Sequence, residues 1–344
     1  MSRSPTMISH ALAVGTLMVA IGLLRGIHAV PYSPKSLDLF LPGHPWNTKV
    51  DSIPKSNQSD AIINWLSSNG GWGMGNTLRI DFSISLLTAD KSTPFLSWKT
   101  TDDWYSPDCD LGSFPVPAGG ALEGESGYVC AHDGDCHLLV HDPAHMRLYE
   151  MWRANYASEP SKFQGGCLAI WKLDRVYGPH LRGQDCTSAD AGGFPIAAML
   201  FSADEVASGT IAHAIRFILP NQRIRRLVYA LPGTHSTSAT SATNPNAPPY
   251  GVHFRLKKSF DMTRLKSSGA RVVAKALQTY GMFLADGGNM ALTAANDQFS
   301  VKKWTDVGID SYALAPIQVG DFEVVNLSPA NTVHYAENCV RSSI

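Results

Sequence analysis

Alternation of apolar and polar positions is the dominant pattern along this chain, and it is clearest in two neighbouring segments, residues 136–141 and 146–152. An Asp-Pro turn signal separates them, so the stretch predicts a β-hairpin. With residues 142–145 as the loop, His137 would lie directly opposite Glu150 on one face. A register error of one residue would remove that contact. An imidazole and a carboxyl group on an apolar face indicate either a structural pair or a tuned acid, since both kinds of site shift pKa values.

The same kind of pattern predicts further strands and a few helices. Helices are predicted at residues 59–68 and 269–280, the second with Ser267 or Ser268 as its N-cap. Strands are predicted at residues 78–87, 167–173, 210–219, 227–231, 253–258, 281–285 and 321–325. Many short strands with few helices indicate a mostly-β protein, and we expect a single-domain, jelly-roll-like β-sandwich with a few inserted helices over residues 30–344.

The amino terminus carries a secretory pattern. Arg3 precedes an apolar run at residues 11–24, and small residues at positions 27–29 offer a cleavage point, which predicts a signal peptide over residues 1–29. An uncleaved anchor is the alternative, but the run is short compared with the ~20 residues that span a bilayer. We therefore expect a secreted, extracellular protein that is free of the membrane once the signal is removed. Asn57 begins a glycosylation acceptor sequence, which predicts a glycoprotein in a eukaryotic cell.

Composition and cysteine usage narrow the classes of function. The chain has 344 residues and a formal net charge of −1, which gives no support for nucleic-acid binding. Its six cysteines include no Cys-x-x-Cys pair, so in a secreted chain they predict disulfides, with 15 pairings open, and not a zinc knuckle. No cofactor is expected. If a structural ion binds, calcium is the expected one, and Asp135 and His137 with His213 or Asp190 would supply ligands.

Sequence motifs for nucleotide binding, zinc proteolysis and serine esterase activity are absent from the chain. Carboxyl and imidazole side chains near predicted strand ends remain. The candidates for catalysis are Glu123, His137, Glu150, Asp190 and His213. The candidates for substrate binding are Tyr149, Arg216, His235 and Asp286. Glycoside hydrolysis needs two carboxyl groups, one of them kept protonated by its surroundings. The sequence therefore predicts a carbohydrate-active glycoside hydrolase in which Glu150, tuned by His137, works with Glu123 or Asp190.

Two other functions would use the same residues. A polysaccharide lyase would abstract a proton with an imidazole or a tyrosine, while Arg216 or His137 neutralises the carboxylate of the substrate. A non-catalytic extracellular module would bind glycan through residues 235–250 and through exposed aromatic side chains. That segment has low sequence complexity, which is typical of a surface loop. Asp190 has a purely structural alternative as well, because Asp is preferred where a turn needs a cap.

Seven segments within residues 114–297 resemble an uncharacterised family of secreted proteins that is common in soil bacteria. They read PVPAGGALEG, DGDCHLLV, LYEMW, TSADAGGFPI, DEVASGTIAHAIRF, PPYGVHFRLKKSFD and YGMFLADGG. The family has Arg where this chain has Cys136, and an Arg-His pair where this chain has Thr234 and His235. The resemblance implies secretion and a single extracellular domain, with no established reaction. Its members' association with biomass favours a polysaccharide or another extracellular glycan as the partner.

Overall fold

The computed structural model describes residues 39–157, 162–325, 333–335 and 337–342. The predicted signal peptide, residues 1–29, lies outside the described residues. The α-helices are α1 (Ser59–Ser68), α2 (Gly73–Asn76), α3 (Ala203–Ser208) and α4 (Ser268–Thr279). Short 3-10 segments are Pro45–Asn47, Ala197–Met199, Asn221–Arg223, Met262–Arg264, Trp304–Val307 and Val319–Asp321.

Strands exceed helices, with 26% of residues against 18%, which confirms a mostly-β fold. The strands are β1 (Ile80–Ile84), β2 (Leu86–Thr88), β3 (Phe95–Leu96), β4 (Trp98–Thr100), β5 (Phe114–Pro115), β6 (Leu138–Asp142), β7 (Arg147–Trp152), β8 (Asn155–Ala157), β9 (Lys162–Gly165), β10 (Cys167–Lys172), β11 (Gly183–Gln184), β12 (Ile215–Leu219), β13 (Val228–Ala230), β14 (His253–Leu256), β15 (Met282–Gly287), β16 (Leu292–Ala295), β17 (Phe322–Val324), β18 (Val333–Tyr335) and β19 (Val340–Arg341).

The largest sheet has six strands in the order β1-β16-β12-β15-β14-β17. The pairs β1 with β16 and β12 with β15 are parallel, whereas β12 with β16, β14 with β15 and β14 with β17 are antiparallel. A jelly roll is built from antiparallel strands, so this mixed sheet does not confirm the jelly-roll part of the prediction.

Both faces of the large sheet are buried, as strand β15 illustrates. Met282 and Leu284 join a core that includes side chains of α1 and α4, while Phe283 and Ala285 join a second core on the opposite face. Helix α4 begins where predicted, because the Ser267 side chain accepts a hydrogen bond from the backbone N–H of Ala270. The near-continuous apolar run of β15 is what a strand buried on both faces requires.

A smaller, four-stranded sheet in the order β10-β7-β6-β2 faces the second core. Leu139, Leu148 and Trp171 of this sheet share the second core with Phe283 of the large sheet and with side chains of residues 194–200. The two sheets share one stretch of chain, because the predicted strand at residues 78–87 divides at Ser85 into β1 and β2. This arrangement places the inner face of the hairpin against the middle of the molecule.

The predicted hairpin forms as β6 and β7, but its loop is residues 143–146. Asp142 remains in the ladder opposite Arg147, and its carboxylate accepts a hydrogen bond from the backbone N–H of His145. Met146 has a φ of 51° and stays in the loop. Glu150 therefore pairs with Leu139, and the predicted direct pairing of His137 with Glu150 is wrong.

All six cysteines form disulfides, which confirms that part of the sequence prediction. The pairs are Cys109–Cys167, Cys130–Cys136 and Cys186–Cys339. Disulfides form and persist in oxidising compartments, so these three disulfides fit a protein in such a compartment. In the part of the chain that is described, no helix has the length and apolar character needed to cross a membrane.

Gly251, which directly follows residues 235–250, packs closely against another part of the backbone. Gly251 has a φ of 82°, and a Cβ atom there would lie 1.7 Å from the carbonyl oxygen of Ala230. Gly209 has a φ of 84°, but its Cβ would meet nothing within 4 Å. We expect Gly251→Ala to lower the free energy of unfolding by roughly 3 kcal/mol and Gly209→Ala by about 1 kcal/mol. Chemical denaturation measures both, and equal losses would contradict the clash.

Candidate functional site

Two adjoining pockets form a cleft at the carboxyl end of β15. The first, the His235 pocket, has a volume of about 300 Å³ and is lined by Trp152, His235, Tyr250 and neighbouring residues. The second, the His137 pocket, has a volume of about 230 Å³ and is lined by Glu123, His137, Arg216 and neighbouring residues. Asp135 and Asp286 line both pockets. These two carboxyl groups therefore stand where the pockets meet.

Arg216 on β12 ties the floor of the cleft together. Its Nε donates to Asp190 Oδ1 at 2.8 Å, its Nη1 to Thr293 Oγ1 at 2.9 Å and its Nη2 to Asp286 Oδ2 at 2.9 Å. Thr293 and Asp286 come from β16 and β15, the two strands that flank β12 in the sheet. Three of the five N–H donors of Arg216 are used in these bonds, and its side chain is only 4% exposed, so burial limits its access to the anion of a substrate.

The two aspartates that contact Arg216 differ in access. Asp190 is fully buried, whereas 21% of the Asp286 side chain is exposed at the cleft. Burial raises the pKa of both carboxyl groups, and the charge of Arg216 opposes that rise. The Asp135 charge raises the pKa of Asp286 further. Asp286 therefore combines access to the cleft with a pKa above the ordinary aspartate value.

His137 pairs with Glu123 and not with Glu150. Its Nδ1 lies 2.6 Å from Glu123 Oε2, and its Nε2 lies 2.9 Å from the carbonyl oxygen of Ala189. Both neighbours are acceptors, so the ring is satisfied as an imidazolium that donates from both nitrogens. Burial would lower the pKa of His137, but the charge of Glu123 outweighs it and raises the pKa to about 9. Although burial acts in the opposite direction, His137 lowers the pKa of Glu123 to about 2.

Glu150 lies outside the cleft, fully buried between the two sheets. Its Oε2 accepts from Trp171 Nε1 at 3.0 Å and from the backbone N–H of Ile196 at 3.1 Å, and its Oε1 accepts from that of Ala197 at 2.8 Å. Burial raises the pKa of Glu150 to about 7, and these donors oppose the rise. The predicted catalytic role is not supported, because a substrate cannot reach a side chain on the inner face of β7. Glu150 instead anchors the segment that packs between the sheets.

Two further predicted site residues lie elsewhere. His213 precedes β12, at the opposite end from Asp286, and its Nε2 lies 3.3 Å from Glu205 Oε1 in a fully buried pair. Tyr149 follows the strand alternation of β7, so it faces away from Glu150 and lines a separate pocket with Phe95. The predictions that His213 acts in catalysis and Tyr149 in substrate binding are therefore not supported.

The segment at residues 235–250 contributes two groups to the cleft. His235 Nδ1 lies 2.9 Å from the carbonyl oxygen of Ala191, which can only accept, so Nδ1 carries the proton. Burial lowers the pKa of His235, which favours the neutral ring with an unprotonated Nε2. Tyr250 is 1% exposed, lines the same pocket, and its hydroxyl makes no hydrogen bond to the residues described. Burial raises the pKa of Tyr250 well above its usual range, so the phenol remains a donor.

This segment is less of a surface loop than the sequence predicts. Thr240, Ala242, Ala247 and Tyr250 are buried, and Ala242 forms a β-bridge with Arg225. The short side chains and prolines of residues 235–250 allow the backbone to pack closely. The low sequence complexity of this segment therefore did not prevent the burial of these four residues. No sequence pattern pointed to Tyr250, because the low-complexity run before it has no alternation that would assign the side chain to a face.

An aromatic wall borders the cleft beside Asp135. Trp152 Nε1 donates to Asp135 Oδ1 at 2.9 Å, which fixes the carboxylate at the pocket edge. The rings of Tyr105 and Trp152 lie 6.2 Å apart between centroids, and Tyr105 is 43% exposed. Exposed aromatic faces next to a carboxylate suit a sugar ring, which presents apolar C–H surfaces and polar hydroxyls.

The predicted metal ligands do not come together. Among the described residues, the two groups of three candidate ligands within 4.8 Å are Asp108 with Cys186 and Cys339, and Glu125 with Cys130 and Cys136. Each group contains a disulfide, whose sulfurs are not thiolate ligands. The calcium site expected from Asp135, His137, His213 and Asp190 is therefore not supported by this geometry.

The His137–Glu123 pair predicts a pH dependence of stability. The pKa of His137 is raised in the folded state, so the pair's contribution is complete below the ordinary histidine pKa of about 6.5 and is lost as the pH rises through about 9. We expect the free energy of unfolding to fall by up to about 3 kcal/mol over that range. Chemical denaturation across this pH range measures the fall. The fall in the free energy of unfolding should be much smaller in His137→Gln than in the control His132→Gln, because the His132 side chain is 80% exposed. Equal falls in the two variants would contradict the assignment of the pH dependence to His137.

Comparisons with known proteins add no homologue to this picture. No protein-family profile, no curated protein and no solved structure matches the chain. The resemblance to a family of secreted soil-bacterial proteins therefore stays a prediction, and the function has to be argued from the cleft alone.

Proposed function

We propose that this chain is a secreted, carbohydrate-active glycoside hydrolase that cleaves an extracellular polysaccharide in the cleft. Asp286 is the proton donor and Asp135 is the second carboxylate. The observation that carries the proposal is that these two carboxyl groups, one partly buried and one exposed, line both pockets beside an aromatic wall.

The chemistry of glycoside hydrolysis fits these two residues better than the pair predicted from sequence. The reaction needs one carboxyl group that holds a proton for the leaving oxygen, and burial and the charge of Asp135 raise the pKa of Asp286. The second group must be ionised and reach either the sugar or a water molecule. Asp135 is exposed and is oriented by Trp152 Nε1. Glu123 is excluded as the acid, because its pairing with His137 lowers its pKa to about 2.

A polysaccharide lyase is less well supported. His235 and Tyr250 offer a base and an acid in one pocket, as that reaction requires. However, the cations that would neutralise a uronate are already neutralised, Arg216 by the buried Asp190 and His137 by Glu123. An anionic sugar would enter a cleft without a free positive charge.

A non-catalytic glycan-binding module is the second candidate. It is favoured by His235, Thr237, Ala239 and Tyr250, which bring the segment at residues 235–250 to the wall of the pocket. Such a module would retain glycan without releasing product. Secretion, in either case, is supported by the predicted signal peptide and by three disulfides.

Incubation of the purified protein with plant, fungal and bacterial polysaccharides separates these functions. We expect the release of new reducing ends without the ultraviolet absorbance of an unsaturated sugar. Product that absorbs in the ultraviolet would identify a lyase. Retention on an insoluble glycan without any product would identify the binding module, and either result would overturn the hydrolase proposal.

A further inference from the structure

The cleft carries more negative than positive charge. Asp81, Glu123, Asp135 and Asp286 line the His137 pocket, against His137 and Arg216. Glu123 neutralises His137, while Asp286 shares Arg216 with the buried Asp190. Asp81 and Asp135 form no ion pair with any described residue. The cleft is therefore short of positive charge at its centre, where Asp135 stands between the two pockets.

Beside this charge lie groups that suit a sugar and not a bare cation. Tyr250 is a buried residue that lines the His235 pocket, and its hydroxyl has no hydrogen-bond partner among the described residues, so it is free to donate to a ligand in the pocket. His235 Nε2 is an acceptor in the same pocket. Trp152 and Tyr105 supply the apolar surface. Together these groups match the hydroxyls and the C–H face of a pyranose ring.

We propose that the cleft selects glycans that carry protonated amino sugars, such as glucosamine units with a free amine. The sugar ammonium would lie against Asp135, the carboxylate without an ion pair, at the edge that Asp135 and Asp286 share between the two pockets. The hydroxyls would meet Tyr250 and His235, and the ring would lie on Trp152. A uronic acid would bring a second carboxylate to the same place and be repelled. This inference rests on the proposed function only in taking a glycan as the ligand.

Calorimetric binding to short oligomers of equal length tests the charge preference, at a pH where the glucosamine amines are protonated. We expect glucosamine oligomers to bind about 10-fold more tightly than glucose or N-acetylglucosamine oligomers, and galacturonate oligomers not to bind. Raising the salt concentration should narrow the difference. Asp135→Asn should remove most of the preference. Asp133→Asn should keep it, because Asp133 is already paired with Arg153 and lines neither pocket.

Four results would overturn the inference. They are equal affinity for glucose and glucosamine oligomers, equal affinity for lysine oligomers of the same charge, an unchanged preference in Asp135→Asn, and no binding of any oligomer. The hydrolase proposal fails separately. Tight binding of glucosamine oligomers without any cleavage would refute hydrolysis and leave the charge preference standing. Cleavage of neutral glycans without any preference for glucosamine would refute the charge preference and leave hydrolysis standing.

Discussion

The Asp286→Asn variant is expected to fold and to lose at least about 100-fold of the rate of glycan hydrolysis, which is the lower end of what a positioned general acid contributes. The asparagine oxygen can still accept from Arg216 Nη2, so the hydrogen bond at the floor of the cleft can survive. What the amide cannot do is give a proton to the leaving oxygen. The measurement is the initial rate of reducing-end release, with the free energy of unfolding determined alongside it.

Asp321→Asn is the matched control for this experiment. Asp321 also pairs with an arginine, Arg264, but it lies outside the cleft, so the rate should stay within about twofold of the unchanged protein. The single variant Asp135→Asn should lose activity as Asp286→Asn does, because the reaction needs both carboxyl groups. Full activity in either cleft variant would show that its carboxyl group is not part of the chemistry.

Local features of the fold could be predicted from sequence where neighbouring residues determine them. Helices α1 and α4 begin and end within a residue of the predicted positions, because amphipathic spacing and the Ser267 cap are encoded within one segment. Strand β10 likewise lies within the predicted residues 167–173, which glycines and a Gly-Pro pair flank on either side. The order of the six-stranded sheet could not be predicted, since it depends on pairings between distant segments, such as β1 with β16.

The hairpin register shows why the site was only partly predictable. Its loop moved by one residue on each side because Asp142 binds the loop backbone from inside the ladder. Cys136, with a φ of 48° and a disulfide to Cys130, interrupts the extended chain immediately before His137. The side-chain types needed for a charged cleft were visible in the sequence. Which carboxyl group meets His137 depended on a fold that brings Glu123 across to it.

The candidate residues divide into those that reach the cleft and those that do not. Glu123, His137, Asp190, Arg216, His235 and Asp286 all contribute to the cleft or to its floor. Glu150, His213 and Tyr149 do not, because their positions in or before their strands turn them to the core or to another surface. Alternation assigns residues to faces, but only the packing of the sheets decides which face is open to solvent. Tyr250 was missed because its segment has no alternation, so the sequence could not assign its side chain to any face.

Replacement of Arg216 by methionine is expected to destabilise the fold by roughly 3–5 kcal/mol. The guanidinium is the cation shared by Asp190 and Asp286, and Asp190 is fully buried, so its carboxylate would be left without a compensating charge. The matched control is Arg153→Met. Arg153 also bridges two aspartates, Asp103 at 3.4 Å and Asp133 at 3.1 Å, but at the surface. Its removal should cost less than about 1 kcal/mol.

A double variant distinguishes an uncompensated charge from lost packing as the cause of that destabilisation. When Asp190→Asn is added to Arg216→Met, the buried charge disappears, so we expect the double variant to regain about half of the lost stability. The Arg216→Met protein alone should also regain stability as the pH falls, because a buried carboxyl without its cation has a raised pKa and is more easily accommodated when protonated. Chemical denaturation at neutral and mildly acidic pH measures both effects. A double variant no more stable than Arg216→Met, with no pH dependence, would mean that Arg216 acts through its packed side chain and not through its charge.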